Sequence, residues 1–147
     1  MKPILMGKVF LVAAVISLTA CSTIATYDQT AYEHATDLKV DTLALMKKAN
    51  TPYASNQQAI ASVQLEMDKA IEYDKGRPLN SDTVALWGIL QDKFNQYLAD
   101  WKAGSTLSPT FITDKTVGAS GNTGMSADFD QIIELESGKN KPDTTGK

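Results

Sequence analysis

The chain has one cysteine, one histidine and one arginine in 147 residues, and each scarcity closes a route. With Cys21 alone, no intramolecular disulfide can form, so the fold must rest on packing. His34 alone excludes a His–His metal pair. Arg77 alone, with 17 acidic residues against 14 basic ones, leaves no basic face for a nucleic-acid backbone. Long hydrophobic runs are missing as well. The run at residues 9–18 (VFLVAAVISL) is about half of the ~20 residues that a membrane-crossing helix needs. No segment alternates apolar and polar residues in the manner of a half-buried strand. GxGxxG, a phosphate-loop lysine and the alternating oxygen ligands of a calcium loop are also lacking.

What is present begins at the amino terminus. Lys2 and Lys8 make a positive n-region, residues 9–18 an apolar h-region, and small Thr19 and Ala20 then precede Cys21. Leu18-Thr19-Ala20-Cys21 resembles the lipobox of bacterial lipoprotein precursors. The bland alternative is an ordinary cleaved signal peptide with an incidental cysteine. The resemblance implies a diacylglycerol on the Cys21 sulfur, cleavage between Ala20 and Cys21, and further acylation of the new amino terminus. Two or more acyl chains anchor stably where one binds reversibly. By the same resemblance, Ser22 in place of an aspartate favours delivery to the outer membrane over retention in the inner one.

Removing residues 1–20 takes two of the basic residues and none of the acidic ones, leaving 127 residues with a side-chain charge of −5. One domain of that length buries roughly two-thirds of its unfolded surface and sustains its own core. Three long segments follow, each apolar at alternating spacings of four and three, the signature of an amphipathic helix. In the first, Thr26 and Gln29 fit a capping box, Ala31, Ala35, Leu38, Thr42, Leu45 and Ala49 form the stripe, and Leu43 and Met46 widen it. Asn50-Thr51-Pro52 stops it after roughly 23 residues. In the second, capped by Thr51 or Ser55, the stripe is Ile60, Val63, Met67, Ala70 and Ile71, and Gly76 with Pro78 ends it. In the third, capped by Asn80 or Ser81, it is Thr83, Trp87, Leu90, Phe94, Tyr97 and Trp101, broadened by Leu86, Ile89 and Leu98. Gly104 closes that segment.

The remainder is less regular. Ser108-Pro109 suits a helix start, with Phe111 and Ile112 free to pack. Residues 118–124 are a Gly-rich loop. Ser126 or Asp128 restarts a helix with Phe129, Ile132, Ile133 and Leu135 inward, and Gly138 ends it. These stripes predict an all-α fold: an antiparallel up-down helical bundle of three long helices plus a shorter, interrupted fourth. The expected organisation is a signal peptide (1–20), a lipidated tether (21–26), a helical bundle domain (27–137) and a disordered polar tail (138–147). Phrases at residues 30–39 (TAYEHATDLK), 72–76 (EYDKG), 106–112 (TLSPTFI) and 129–139 (FDQIIELESGK) resemble a group of mostly helical bacterial lipoproteins of uncharacterised function. The Gly-rich stretch departs from the more continuous final helix of that group.

No catalytic constellation emerges. His34 with Glu33 and Asp37 could join a metal site, but a solvated helix face is the ordinary explanation. Asp74, Lys75 and Arg77 read as a polar loop, and Asp128, Asp130, Glu134 and Glu136 as an acidic last helix. The aromatic stripe reads first as core, and second as an apolar pocket built from Trp87, Leu90, Phe94 and Trp101. The expected role is a non-enzymatic, lipid-anchored envelope protein without cofactor, metal or nucleic acid. Its expected partners are the membrane, through acyl chains on Cys21, and another envelope protein. The runner-up is a bundle that binds a small molecule or lipid on the third-helix aromatic face.

Overall fold

In the computed structural model, which describes residues 24–104 and 124–139, the apolar stripes become four α-helices among the described residues. They are α1 (Gln29–Met46), α2 (Gln57–Lys75), α3 (Ser81–Lys102) and α4 (Met125–Gly138), with one 3-10 turn (Tyr53–Asn56) leading into α2. Helix α1 packs on α2 and α4, and α3 also packs on α2 and α4. None of these helices is long and apolar enough to cross a membrane. The expected signal peptide, Ala20, Cys21, Ser108-Pro109, Phe111, Ile112, the loop up to Thr123 and the tail from Asn140 lie outside the described residues.

The first helix starts two residues later than the capping-box spacing predicts. Asp28 is the N-cap: its extended backbone (φ −136°, ψ 121°) lets its carboxylate accept from the Ala31 amide at 2.9 Å. A charged acceptor at the positive end of a helix outcompetes a threonine hydroxyl. The Thr26 carbonyl is instead taken by Arg77. Helix α1 runs 18 residues, and Lys47 to Thr51 continue as hydrogen-bonded turns. The connection to α2 is tied by Asn56, whose amide donates to the Thr51 hydroxyl and the Pro52 carbonyl.

All the stripe residues expected inward in α2 and α3 are buried, as are Ala31, Ala35, Leu38, Thr42 and Leu45 of α1. Each large apolar side chain so buried contributes about 1.5–3 kcal/mol relative to exposure. Of the residues expected to broaden the third stripe, Leu98 is buried and Leu86 half-buried, whereas Ile89 is 56% exposed, because its direction falls off the row defined by Trp87, Leu90 and Phe94. The start of α4 also differs. It begins at Met125 after an extended Gly124, ahead of both expected caps, and Met125 joins Phe129 and Ile132 in full burial. Gly138 is the last residue of α4, and Lys139 beyond it is buried.

The turn between α2 and α3 holds the one backbone conformation among the described residues that opposes its residue type. Gly76, the expected stop, caps α2 with an ordinary helical φ of −73°, whereas Leu79 takes φ +58°. That region costs a residue bearing a Cβ about 1–2 kcal/mol. Leu79 is held there by its carbonyl, which accepts from the Ala25 amide at 2.9 Å. At the end of α3, Gly104 takes φ +82°, where a glycine is at no disadvantage.

Candidate functional site: a buried ion network

The stripes of three helices do not end where their apolar residues do. Continuing α2 by four from Ala70 reaches Asp74. Running α3 back by four and seven from Trp87 reaches Thr83 and Asn80. Extending α4 from Ile132 by four and then three reaches Glu136 and Lys139. All five polar residues are buried, and Glu136 is 0% exposed. They meet at one end of the helices, together with Arg77.

The hydrogen bonds form a closed circuit. Arg77 Nη1 donates to Asp74 Oδ1 at 2.8 Å and to Glu136 Oε2 at 3.0 Å. Glu136 Oε1 accepts from Thr83 Oγ1 at 2.9 Å and from Lys139 Nζ. Lys139 Nζ also donates to Asn80 Oδ1 and, at 2.9 Å, to Thr83 Oγ1. Asn80 Nδ2 returns to Asp74 Oδ1 at 2.9 Å, and Trp87 Nε1 donates to Asp74 Oδ2 at 2.7 Å. Two carboxylates thus face two cations, and the formal charge cancels. Burial alone would lower the Arg77 pKa, but its hydrogen bonds and attraction to Asp74 and Glu136 outweigh that and raise it. Arg77 Nη2 reaches out to the Thr26 carbonyl at 2.7 Å, so the network also grips the segment that precedes α1.

One expectation is corrected by this arrangement. Asp74 and Arg77 are members of a buried ion pair, not of a solvated polar loop. The acidic residues of the last helix are divided among partners on other elements. Asp128 pairs with Lys93 of α3, Asp130 with Lys39 of α1, and Glu136 with Arg77 and Lys139, while Glu134 is exposed. The polar circuit was legible in principle, since its members sit in phase with the apolar stripes. Spacing names the positions but not their partners.

Chemically, the circuit is a clamp. Its carboxylate oxygens are already engaged by donors from the chain, and Glu136 and Lys139 side chains have no exposed surface to meet a substrate. Acid-base chemistry needs a group within reach of a reacting atom.

His34 and Asp37 do share a surface, as their spacing predicts. With Leu38, Asp41, Glu66 and Lys69 they line a groove of about 220 Å³ between α1 and α2. The His34 ring stands edge-on to Tyr73 at 5.2 Å, and its Nδ1 is buried without a hydrogen-bond partner. No group of three or more His, Cys, Asp or Glu among the described residues is arranged to hold a metal. At the start of α1 the Tyr73 hydroxyl donates to both Asp28 oxygens at 3.0 Å. Burial raises the Asp28 pKa, yet the Ala31 amide, Tyr73 and the Arg77 charge together hold it below the ordinary carboxylate value. Burial and the Asp28 bond both raise Tyr73.

Trp87, Leu90, Phe94 and Trp101 lie together in the core cluster. The Trp87 ring meets Phe129 edge-on at 6.1 Å, and Trp101 meets Tyr97 at 6.3 Å and Tyr53 at 5.7 Å. Both indole N–H groups are used, by Asp74 and by the Thr51 carbonyl. Trp101 alone of the four borders the open groove of about 720 Å³ formed by residues 49–54 with Gln57, Lys102 and Gly104. Both indole rings thus pack edge-on against other aromatic rings, which is core behaviour. No family model, no curated protein and no solved structure matches the chain.

Proposed function

We propose that this is a lipid-anchored protein of the bacterial cell envelope, acylated on Cys21 after cleavage behind Ala20, whose helical unit is a non-enzymatic interaction or structural module. The observation that carries the reading is Leu18-Thr19-Ala20-Cys21, the chain's one cysteine, at the end of a ten-residue apolar run that follows two lysines. Acyl chains there tether a folded unit that has no membrane-crossing helix among its described residues. The outer membrane is the proposed destination, on the strength of Ser22.

An antiparallel up-down bundle is the proposed arrangement of the helices. It is supported by the contacts of each helix with two others, and by the side-chain bonds between their ends. Asp28 before α1 meets Tyr73 late in α2, and Met46 at the end of α1 accepts from Tyr97 late in α3. The non-enzymatic reading is supported by polar side chains that engage one another and leave no carboxylate of the circuit open to a substrate. An acidic, tethered module suits binding to another envelope component.

The test is chemical. The Cys21→Ala chain should accumulate as unprocessed precursor and take up no labelled palmitate, while the parent chain is cut at Cys21 and carries acyl mass. Exported parent protein with an unmodified residue 21 would overturn the proposal.

A further inference from the structure

Very little chain separates Cys21 from the folded unit. Ala25 is 5% exposed, its amide is fixed to the Leu79 carbonyl, and the next carbonyl, of Thr26, is fixed to Arg77. Four residues of fully extended backbone reach about 14 Å at most. A lipid on Cys21 therefore holds the α2–α3 turn within about that distance of the acyl layer, while the headgroup region on one side of a bilayer is itself roughly 5–8 Å deep.

That end of the molecule is shaped for such a neighbour. Leu79 is 57% exposed at the tip of the turn, beside exposed Pro78. Tyr73 is partly exposed close by, with its hydroxyl on Asp28, and Tyr27 lies in the segment just past Ala25. Tyrosine rings settle at headgroup depth, with an apolar body and a polar tip. The nearby charges are largely engaged: Lys75 with Glu72, and Arg77 with Asp74 and Glu136, while Asp82 at the start of α3 is exposed. The other exposed large apolar side chains, Val40, Leu65 and Ile89, lie within helices and away from the attachment point.

We infer that the α2–α3 turn, with Leu79 at its tip, is a membrane-docking surface seated at the headgroup–acyl boundary of the leaflet that carries the Cys21 lipid. This rests on the lipid-anchor reading above and adds a second point of attachment. Two points fix orientation where one tether leaves the unit free to tumble. Helix α1 runs about 27 Å away from this end. Docking thus aims the α1–α2 connection, with Tyr53 and the open groove beside Trp101, away from the bilayer.

The experiment uses the processed, acylated full chain in vesicles of phosphatidylethanolamine and phosphatidylcholine. Because an acylated Cys21 has no thiol, Leu79→Cys and Ala54→Cys each offer one site for an environment-sensitive fluorophore. Ala54 sits in the α1–α2 connection. A quencher attached to the lipid should remove roughly half or more of the emission at position 79, and almost none at 54, if the turn sits about 5–10 Å into the interface. Equal, weak quenching at both sites in protein that floats with the vesicles would overturn the docking and leave the anchor intact. Parent protein that reacts with the thiol reagent and fails to float would overturn both. Leu79→Asp should likewise float yet lose protection of the α2–α3 turn amides in vesicles, and unchanged protection would count against docking.

Discussion

The two ends of the helices solve burial in opposite ways. At one end, Met46, Tyr97, Trp101 and Tyr53 pack rings and a thioether, and side-chain donors bond to backbone carbonyls: Tyr97 donates to Met46 at 2.8 Å and Trp101 to Thr51 at 2.8 Å. Burial raises the Tyr97 pKa strongly, so that hydroxyl stays protonated and donating. At the other end, Asp74, Arg77, Asn80, Thr83, Glu136 and Lys139 satisfy one another through side chains. An apolar end tolerates approximate geometry, whereas a buried circuit of charges is stable only when every member is placed. The polar end therefore specifies how α2, α3 and α4 meet, together with the segment leading to Cys21.

Removing one member of the circuit should have the largest effect. Glu136→Ala leaves Arg77 with one carboxylate and strands Lys139, and should cost about 3–5 kcal/mol in denaturant unfolding. Replacing Glu136 and Lys139 together by methionine should recover more than half of that loss, because a matched apolar pair leaves no charge uncompensated. A double variant no more stable than Glu136→Ala would show that shape, not charge balance, governs this end.

A smaller effect of opposite sign is expected in the apolar middle of α1. Thr42 is 0% exposed and its hydroxyl has no hydrogen-bond partner. Thr42→Val keeps the shape and removes the orphaned group, and should stabilise by about 1 kcal/mol. A loss of stability would mean that this hydroxyl is satisfied and that the contrast between the two ends is overdrawn.

The smallest effect concerns the rim of the polar end. Asp28 has its pKa lowered in the folded chain, so its charge stabilises the fold above the ordinary value of 3.8, and that contribution is lost as pH falls through the lowered folded value. Asp28→Asn keeps an acceptor for the Ala31 amide. The parent chain should therefore unfold at higher temperature than the variant near neutral pH, with the gap closing in acid. A gap that persists below the folded pKa would assign the effect to cap geometry and not to charge.

Much of the helical content was readable because burial repeats every three or four residues. Thr83, Trp87, Leu90, Phe94, Tyr97 and Trp101 occupy one row, and all are buried. Ile89 misled because hydrophobic character without phase does not predict a direction. The Asp28 cap was passed over because Thr26 and Gln29 happen to fit a motif two residues upstream. The Leu79 conformation left no trace in residue type, since the turn has Gly76 and Pro78 on hand and places the strain on neither.

Sequence alone determined the helical class and the buried rows, because each depends on neighbours a few positions apart. Only the tertiary structure decided that Arg77 would meet Glu136, 59 residues away, and that Lys139 would lie against Asn80. Local periodicity can bury a charge. Which opposite charge is buried beside it depends on how separate helices come together, and no spacing along the chain encodes that directly.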